Sequence, residues 1–210
     1  MCTTAISLAT TPRDIEFVSY HDTDDETKYD YVGNHKEVFG PRVVLSQTWN
    51  ECQKIATGPI YMFIADDFVF QSEGWDEIVR SVFEKSVDKI LFAYPDSSYA
   101  RKGFGMTGFL HKNWVDSVGY IFPPSLGAFL DNWVNCLADL TGRKHYLENV
   151  KVIHEYIVND KTHNGILERD KTRNDRQRYA RLKNKRYEDV EKLKNTILSY
   201  NATGTMWREY

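Results

Sequence analysis

Residues 58–70 read GPIYMFIADDFVF, and the fold turns on how this stretch is read. Gly58-Pro59 is a turn signal. The run from Ile60 to Ile64 has the β-branched and aromatic content of a strand covered on both faces, as in the parallel sheets of α/β domains. Two carboxylates, Asp66 and Asp67, interrupt it before the chain turns apolar again. Carboxylates inside an otherwise buried segment belong at the strand's carboxyl end, which is where open α/β sheets bind ligands. There they can hold a hard divalent cation against a diphosphate, or form a solvated acidic turn that caps the next helix.

Working outward, DIEFVSY (14–20) alternates as a strand and runs into HDTDDE, so a second strand ends in acids. Val43–Leu45 reads as a short strand and Ser46 to about Ala56 as a helix, with Ser46 as N-cap and Gly58 near its end. A helix from Trp75 to about Lys85 and a strand over Lys89–Asp96 follow, and a helix from Leu130 to Thr141 stops at Gly142. ENVKVIHEYIV is a late strand carrying His154. The alternation predicts an α/β fold with a mostly parallel sheet flanked by helices. The N-terminus fits this pattern differently. TPR is too short for a parallel crossover, so Ala5, Ile6, Leu8 and Ala9 read as the apolar side of a short helix whose preceding strand is missing.

The 210 residues, 41% of them hydrophobic, suffice for one globular domain, expected over 1–165, followed by a charged helical extension over 166–210. A formal net charge of −3 gives no global attraction to nucleic acid, so any basic partner surface has to be local. Cys2, Cys52 and Cys136 are odd in number and widely spaced, which argues against a disulfide framework or a zinc site and for a reducing, cytoplasmic setting. No apolar run is long enough for a membrane span, and MCTTAISLATTPRD lacks the basic region of a signal peptide.

The ordered set FVSYHDTDD, GPRVVLSQTWNECQKIATG, IYMFIADDFVF with GWDEIV, GFLHKNWVDSVGY and FLDNWVNCLADLTGRKHY resembles the GT-A glycosyltransferases, particularly small family-2-like enzymes of bacteriophages, across roughly residues 14–160. The departure from that family is the missing first strand and the nucleotide loop after it. The resemblance implies a metal-dependent enzyme moving sugar from a nucleotide-sugar, such as a UDP-sugar, with Mn²⁺ or Mg²⁺ neutralising the leaving diphosphate. In it Asp66 and Asp67 look like a DxD-type motif, with Ala65 where many relatives carry another acid. Asp67 then binds the cation, and Asp66 contacts ribose or donor sugar. His154 looks like a late histidine completing the metal shell, against the alternative of a hydrogen-bonded structural histidine. Asp22 is favoured over Asp24 and Asp25 for holding the base. Asp131 resembles the base of inverting relatives, against the alternative of a helix N-cap and with Asp139 a distant competitor. His111 and Lys112 resemble donor or acceptor contacts, while Trp49, Trp75 and Trp114 read as core or pocket walls.

The acceptor is addressed only by the basic run that includes Arg173, Arg176, Arg178 and Arg181, with Tyr179 and Tyr187 interleaved. Such a surface suits a phosphate backbone, or it is a solvated helix. The leading expectation is transfer to hydroxymethylated pyrimidines in phage DNA. The alternatives are transfer to a polysaccharide, a lipid-linked sugar or a protein, and a catalytically silent binding module. A nucleotidyltransferase is remote, since no Gly-rich phosphate loop with a Lys partner occurs.

Overall fold

A computed structural model describes residues 2–65, 67–97, 102–155 and 174–206. The chain opens with α1 (Cys2–Ser7) and a 3-10 turn (Pro12–Asp14). It then pairs β1 (Glu16–Asp22) with β2 (Asn34–Gly40) in a small parallel sheet. After α2 (Leu45–Ile55) come β3 (Ile60–Phe63), β4 (Phe68–Phe70), α3 (Trp75–Glu84), β5 (Phe92–Ser97) and β6 (Gly108–His111). Next are α4 (Lys112–Val118), α5 (Leu130–Thr141), β7 (Lys144–His154), α6 (Asp175–Arg181) and α7 (Lys183–Met206). The second sheet has five strands in the order β3-β6-β5-β7-β4.

This is an α/β fold, but the larger sheet is mixed, which corrects the expectation of a mostly parallel one. Of its pairings among the described residues, β5 with β7 is parallel; β3 with β6, β6 with β5, and β4 with β7 are antiparallel. Two of its strands are too short for the sequence pattern to announce. β4 is the apolar return after Asp67, and β6 lies in a glycine-rich stretch. Gly108 is required there, because an added Cβ would meet the Ala93 carbonyl oxygen at 2.7 Å. β2 is likewise unannounced, since no helix precedes it. Residues 23–33 cross over by hydrogen bonds to Asp25 and by tyrosine rings laid on His21 and His35. Conversely, Val43 and Val44 form no strand, and Ser46 is not the N-cap. Val44 holds that position, and the buried Ser46 hydroxyl accepts from the Leu126 N–H.

Period-two alternation divides the sheet's side chains between two cores. Tyr61, Phe63, Phe92 and Tyr94 face the core built with Trp114 of α4, Trp133 and Leu137 of α5, and Leu193 of α7. Phe70, Ala93 and Phe109 face the core built with Ala5 of α1 and the Trp75, Val79, Phe83 stripe of α3, where Ile60 and Met62 also pack. The charged C-terminal segment thus folds back onto the body. Val190 and Leu193 are buried, and the buried Asp189 carboxylate accepts from Lys185 and from the Tyr120 hydroxyl.

The strand directions define two rims. β5 and β7 end at one rim, β3 ends there too, and β4, antiparallel to β7, starts there. α5 hands the chain through Gly142 directly to the start of β7 and packs on β5 and β7, so its N-terminal end points back to the same rim. Between the two sheets, β1 and β3 each have one edge with no strand partner among the described residues, and both line a cavity of about 420 Å³.

Candidate functional site

The carboxyl rim gathers several of the residues expected to work together. Asp67 precedes β4 and His154 ends β7, and the pairing of Phe68 with His154 brings them face to face. His154 Nε2 lies 2.8 Å from Asp67 Oδ2. The Phe68 ring lies flat on the imidazole at 4.3 Å, fixing its plane, and the Asp67 carbonyl accepts from the Glu155 N–H at 2.7 Å. The other carboxylate oxygen, Asp67 Oδ1, is buried with no hydrogen-bond partner among the described residues. A buried acceptor left open is costly and calls for an explanation such as an ion. Asp66 lies outside the described residues.

The donor set of this pair fits a divalent cation. Two ligands at roughly 2.1 Å from one octahedral ion and at right angles lie about 3 Å apart, close to the Asp67–His154 separation. Carboxylate with imidazole suits Mn²⁺ better than Mg²⁺. Among the described residues no cluster of three or more His, Cys, Asp or Glu that could hold a metal forms. A cation there therefore needs oxygens from a bound diphosphate or water.

Two further carboxylates occupy this rim. Asp96 follows a register shift after Pro95 on β5, an irregularity that re-aims a side chain, and its Oδ1 is buried without a partner among the described residues. Asp131 sits in the first turn of α5, after Phe129 in the left-handed region at φ 64°. It is not the N-cap, which is Phe129; its Oδ1 accepts from the adjacent Asn132 N–H at 2.8 Å. Burial pushes the Asp131 carboxyl above its ordinary value, against the pull of the Asn132 and Asp131 amides. Asn135 anchors this helix by gripping Gly105 through both its N–H and its carbonyl.

Asp22 closes β1, where Arg42 Nε donates to it at 2.9 Å and Arg42 Nη2 reaches Asp24 at 3.4 Å. Asp25 serves the turn. Hydrogen bonds from the Thr27 side chain and amide, then from Tyr29, hold it down to about 2. Beside Asp22 stands a group that sequence reasoning does not single out. Ser19 Oγ lies 2.7 Å from His21 Nε2 and 3.0 Å from His35 Nε2, the Tyr31 ring stacks on His35, and the exposed Phe39 stacks on His21. Ser19 with His21, and His35 with Glu37, recur at spacing two, but the signal needs β2 to be recognised first.

His111 and Lys112 do not join this rim. Because β6 runs antiparallel to both its neighbours, its carboxyl end emerges at the opposite rim, paired with the start of β3. His111 caps α4, its Nδ1 accepting from the Asn113 N–H, and Lys112 pairs with Asp116. Both residues, expected to touch donor or acceptor, thus stand at the rim opposite Asp67 and His154. Arg173 lies outside the described residues. Arg176, Arg178 and Arg181 are exposed on α6, which lies over the start of α5. There Arg178 donates to the Ser125 carbonyl, and the Tyr179 hydroxyl reaches the Asn132 carbonyl at 3.4 Å.

No helix among the described residues is long and apolar enough to cross a membrane. Compared with known protein families, with curated proteins and with solved structures, the chain has no match.

Proposed function

We propose that the protein is a GT-A-type, metal-dependent glycosyltransferase that moves a sugar from a nucleotide-sugar, in the first instance a UDP-sugar, to a hydroxyl acceptor. The observation that carries this reading is the Asp67–His154 pair, with a buried carboxylate oxygen left open, at the rim where the strands end. Asp67 and His154 hold Mn²⁺, which when bound neutralises the charge that develops on the leaving diphosphate. Asp131, kept weakly acidic by its burial, takes the proton from the attacking hydroxyl, which makes the transfer inverting. Asp22 and the histidine–tyrosine group beside it offer a hydrogen-bond acceptor and stacking rings to the base.

For the acceptor, the exposed arginines of α6 beside the start of α5 favour a polyanion, and we propose DNA carrying hydroxymethylated pyrimidines. A second reading, a binding module of this fold without transfer activity, is favoured by the open cavity between β1 and β3. The donor half of the proposal is tested by titration calorimetry with UDP and Mn²⁺. The parent binds UDP only with the cation, and Asp67→Ala loses that dependence; undiminished binding in Asp67→Ala removes the metal assignment. The acceptor half is tested by mass spectrometry of nucleosides after modified and unmodified DNA are incubated with a panel of UDP-sugars. Binding of UDP with transfer to no DNA, glycan, lipid-linked sugar or protein selects the second reading.

A further inference from the structure

The cavity between the two sheets is lined along its length by β1 and β3, strands that each have one neighbour among the described residues. β1 pairs only with β2 and β3 only with β6 among the described residues, so each turns an open edge toward the same space. The two strands run the same way along it. Glu16, the first residue of β1, accepts from the Thr57 N–H at 2.8 Å and the Thr57 hydroxyl at 2.9 Å, and Thr57 stands just ahead of β3. Both strands therefore leave from one end, and Glu16–Val18 and Gly58–Ile64 form the two long sides.

Each face of the space is mainly apolar, with charged residues such as Arg80, Glu84 and Lys89 among its lining. Trp49 of α2 and Ala56 just after it close it on one side of the sheet, and Ala5, Val79 and Phe83 of α1 and α3 close it on the other. Two of the acids at its margin are paired, Glu16 with Lys36 at 2.6 Å and Asp76 with Arg80 at 2.9 Å, while Glu84 and Lys89 put one charge of each sign on the rim. At about 420 Å³ this open space far exceeds the roughly 30 Å³ that a water takes up. A compact apolar molecule filling it would leave two rows of backbone N–H and C=O groups unsatisfied, at a cost comparable to lost hydrogen bonds. An extended chain fills the volume and satisfies both rows.

We propose that this space is a strand-acceptor slot. It takes up an extended, uncharged segment of a partner polypeptide, with about three residues rich in Val, Ile and Leu seated between the strands, which joins the two sheets into one. Main-chain hydrogen bonds to β1 and β3 provide the affinity, and the apolar walls select a segment that is hydrophobic on both of its faces. The inference is independent of sugar transfer.

The test uses a labelled, end-capped peptide of five alternating valines and isoleucines between terminal lysines. A second peptide of the same sequence carries N-methyl groups on alternate central amides. The first is expected to bind saturably and to slow amide hydrogen exchange at residues 16–18 and 60–64, and the N-methylated peptide to bind at least tenfold more weakly. Met62→Trp, which fills the slot, should abolish binding while the circular dichroism spectrum is kept; should that variant not fold, the comparison of the two peptides decides alone. Equal affinity for both peptides overturns the proposal in favour of a simple apolar cavity, and binding of neither overturns it outright. Sedimentation showing a dimer in which the same amides are protected without peptide overturns it in favour of a second copy of this chain.

Discussion

Each of the helices α3 and α5 carries an aspartate at its second position, and Asp76 and Asp131 are driven in opposite directions. Burial pushes Asp76 upward, but the Thr10 N–H, the Thr11 hydroxyl and N–H and the Arg80 guanidinium outweigh it and hold the carboxyl at about 2. The folded state thus binds this proton less readily than the unfolded chain. Its stabilisation is complete above the ordinary value of 3.8 and is lost as pH falls through about 2. The full contribution is on the order of 2 kcal/mol. Denaturant titrations should accordingly find Asp76→Asn less stable than the parent by about that amount at pH 7, with the gap closing toward pH 2. Asp131 has only adjacent amides to offset its burial, so under the proposed mechanism the rate climbs with pH as its raised carboxyl ionises. Asp131→Asn should retain donor binding and lose transfer by about 10²-fold or more together with that acid limb, and a fully active variant removes the base role. In the sequence, Asp131 and Asp67 stand out through their neighbours in a motif. That the Asp131 carboxyl is drawn out of water, and that Asp76 is held by a loop more than sixty residues away, are tertiary facts without a local signal.

Among the elements, the longer helices α2, α3 and α5 are legible in the sequence, whereas the short helix α4 and the short strands are not. α3 and α5 carry their own punctuation, Gly74 before one and Gly142 after the other, both with left-handed backbones, and their buried stripes recur at helical spacing. β4 and β6 span three and four residues, too few for periodicity to register, and they exist because β7 and β5 offer them partners. With β6 unread, the reversal that sends His111 and Lys112 to the far rim stays concealed as well. The dependence of β6 on its glycine is measurable. Gly108→Ala drives a Cβ against the Ala93 carbonyl oxygen and the Phe92 ring, and should lower stability by about 1–3 kcal/mol in urea titrations at unchanged m-value. For α6, the proposed polyanion contact predicts that Arg176→Gln, Arg178→Gln and Arg181→Gln together flatten the salt dependence of DNA affinity. The slope should fall by about 0.9 for each phosphate that is no longer neutralised on duplex, or about 0.7 on single strands, with UDP binding unchanged. DNA binding equal to the parent at low and physiological salt would reduce the segment to a solvated helix.

For the molecule as a whole, the amphipathic character of α7 is faint in sequence because its buried residues are few and dispersed among charges. Even so, Val190, Leu193 and Asp189 close the core formed with α4 and α5, and Arg186 lies over the Tyr179 and Trp133 rings. Removing residues 183–210 should abolish cooperative thermal unfolding. Leu193→Ala alone should cost about 2–5 kcal/mol by calorimetry or chemical denaturation. The order of the large sheet carries a consequence for the birth of the protein. β7 is made after β4 and β5, yet it lies between them in space. A nascent chain stalled before Lys144 holds β4 and β5 with no strand between them, and the partner of Asp67 has not yet been made. Sheet closure and the meeting of Asp67 with His154 are therefore one late event, dependent on pairings distant in sequence, and such pairings fold slowly. Ribosome-bound chains ending before residue 144 should be cut readily by protease within β4, and chains carrying β7 clear of the exit tunnel should resist.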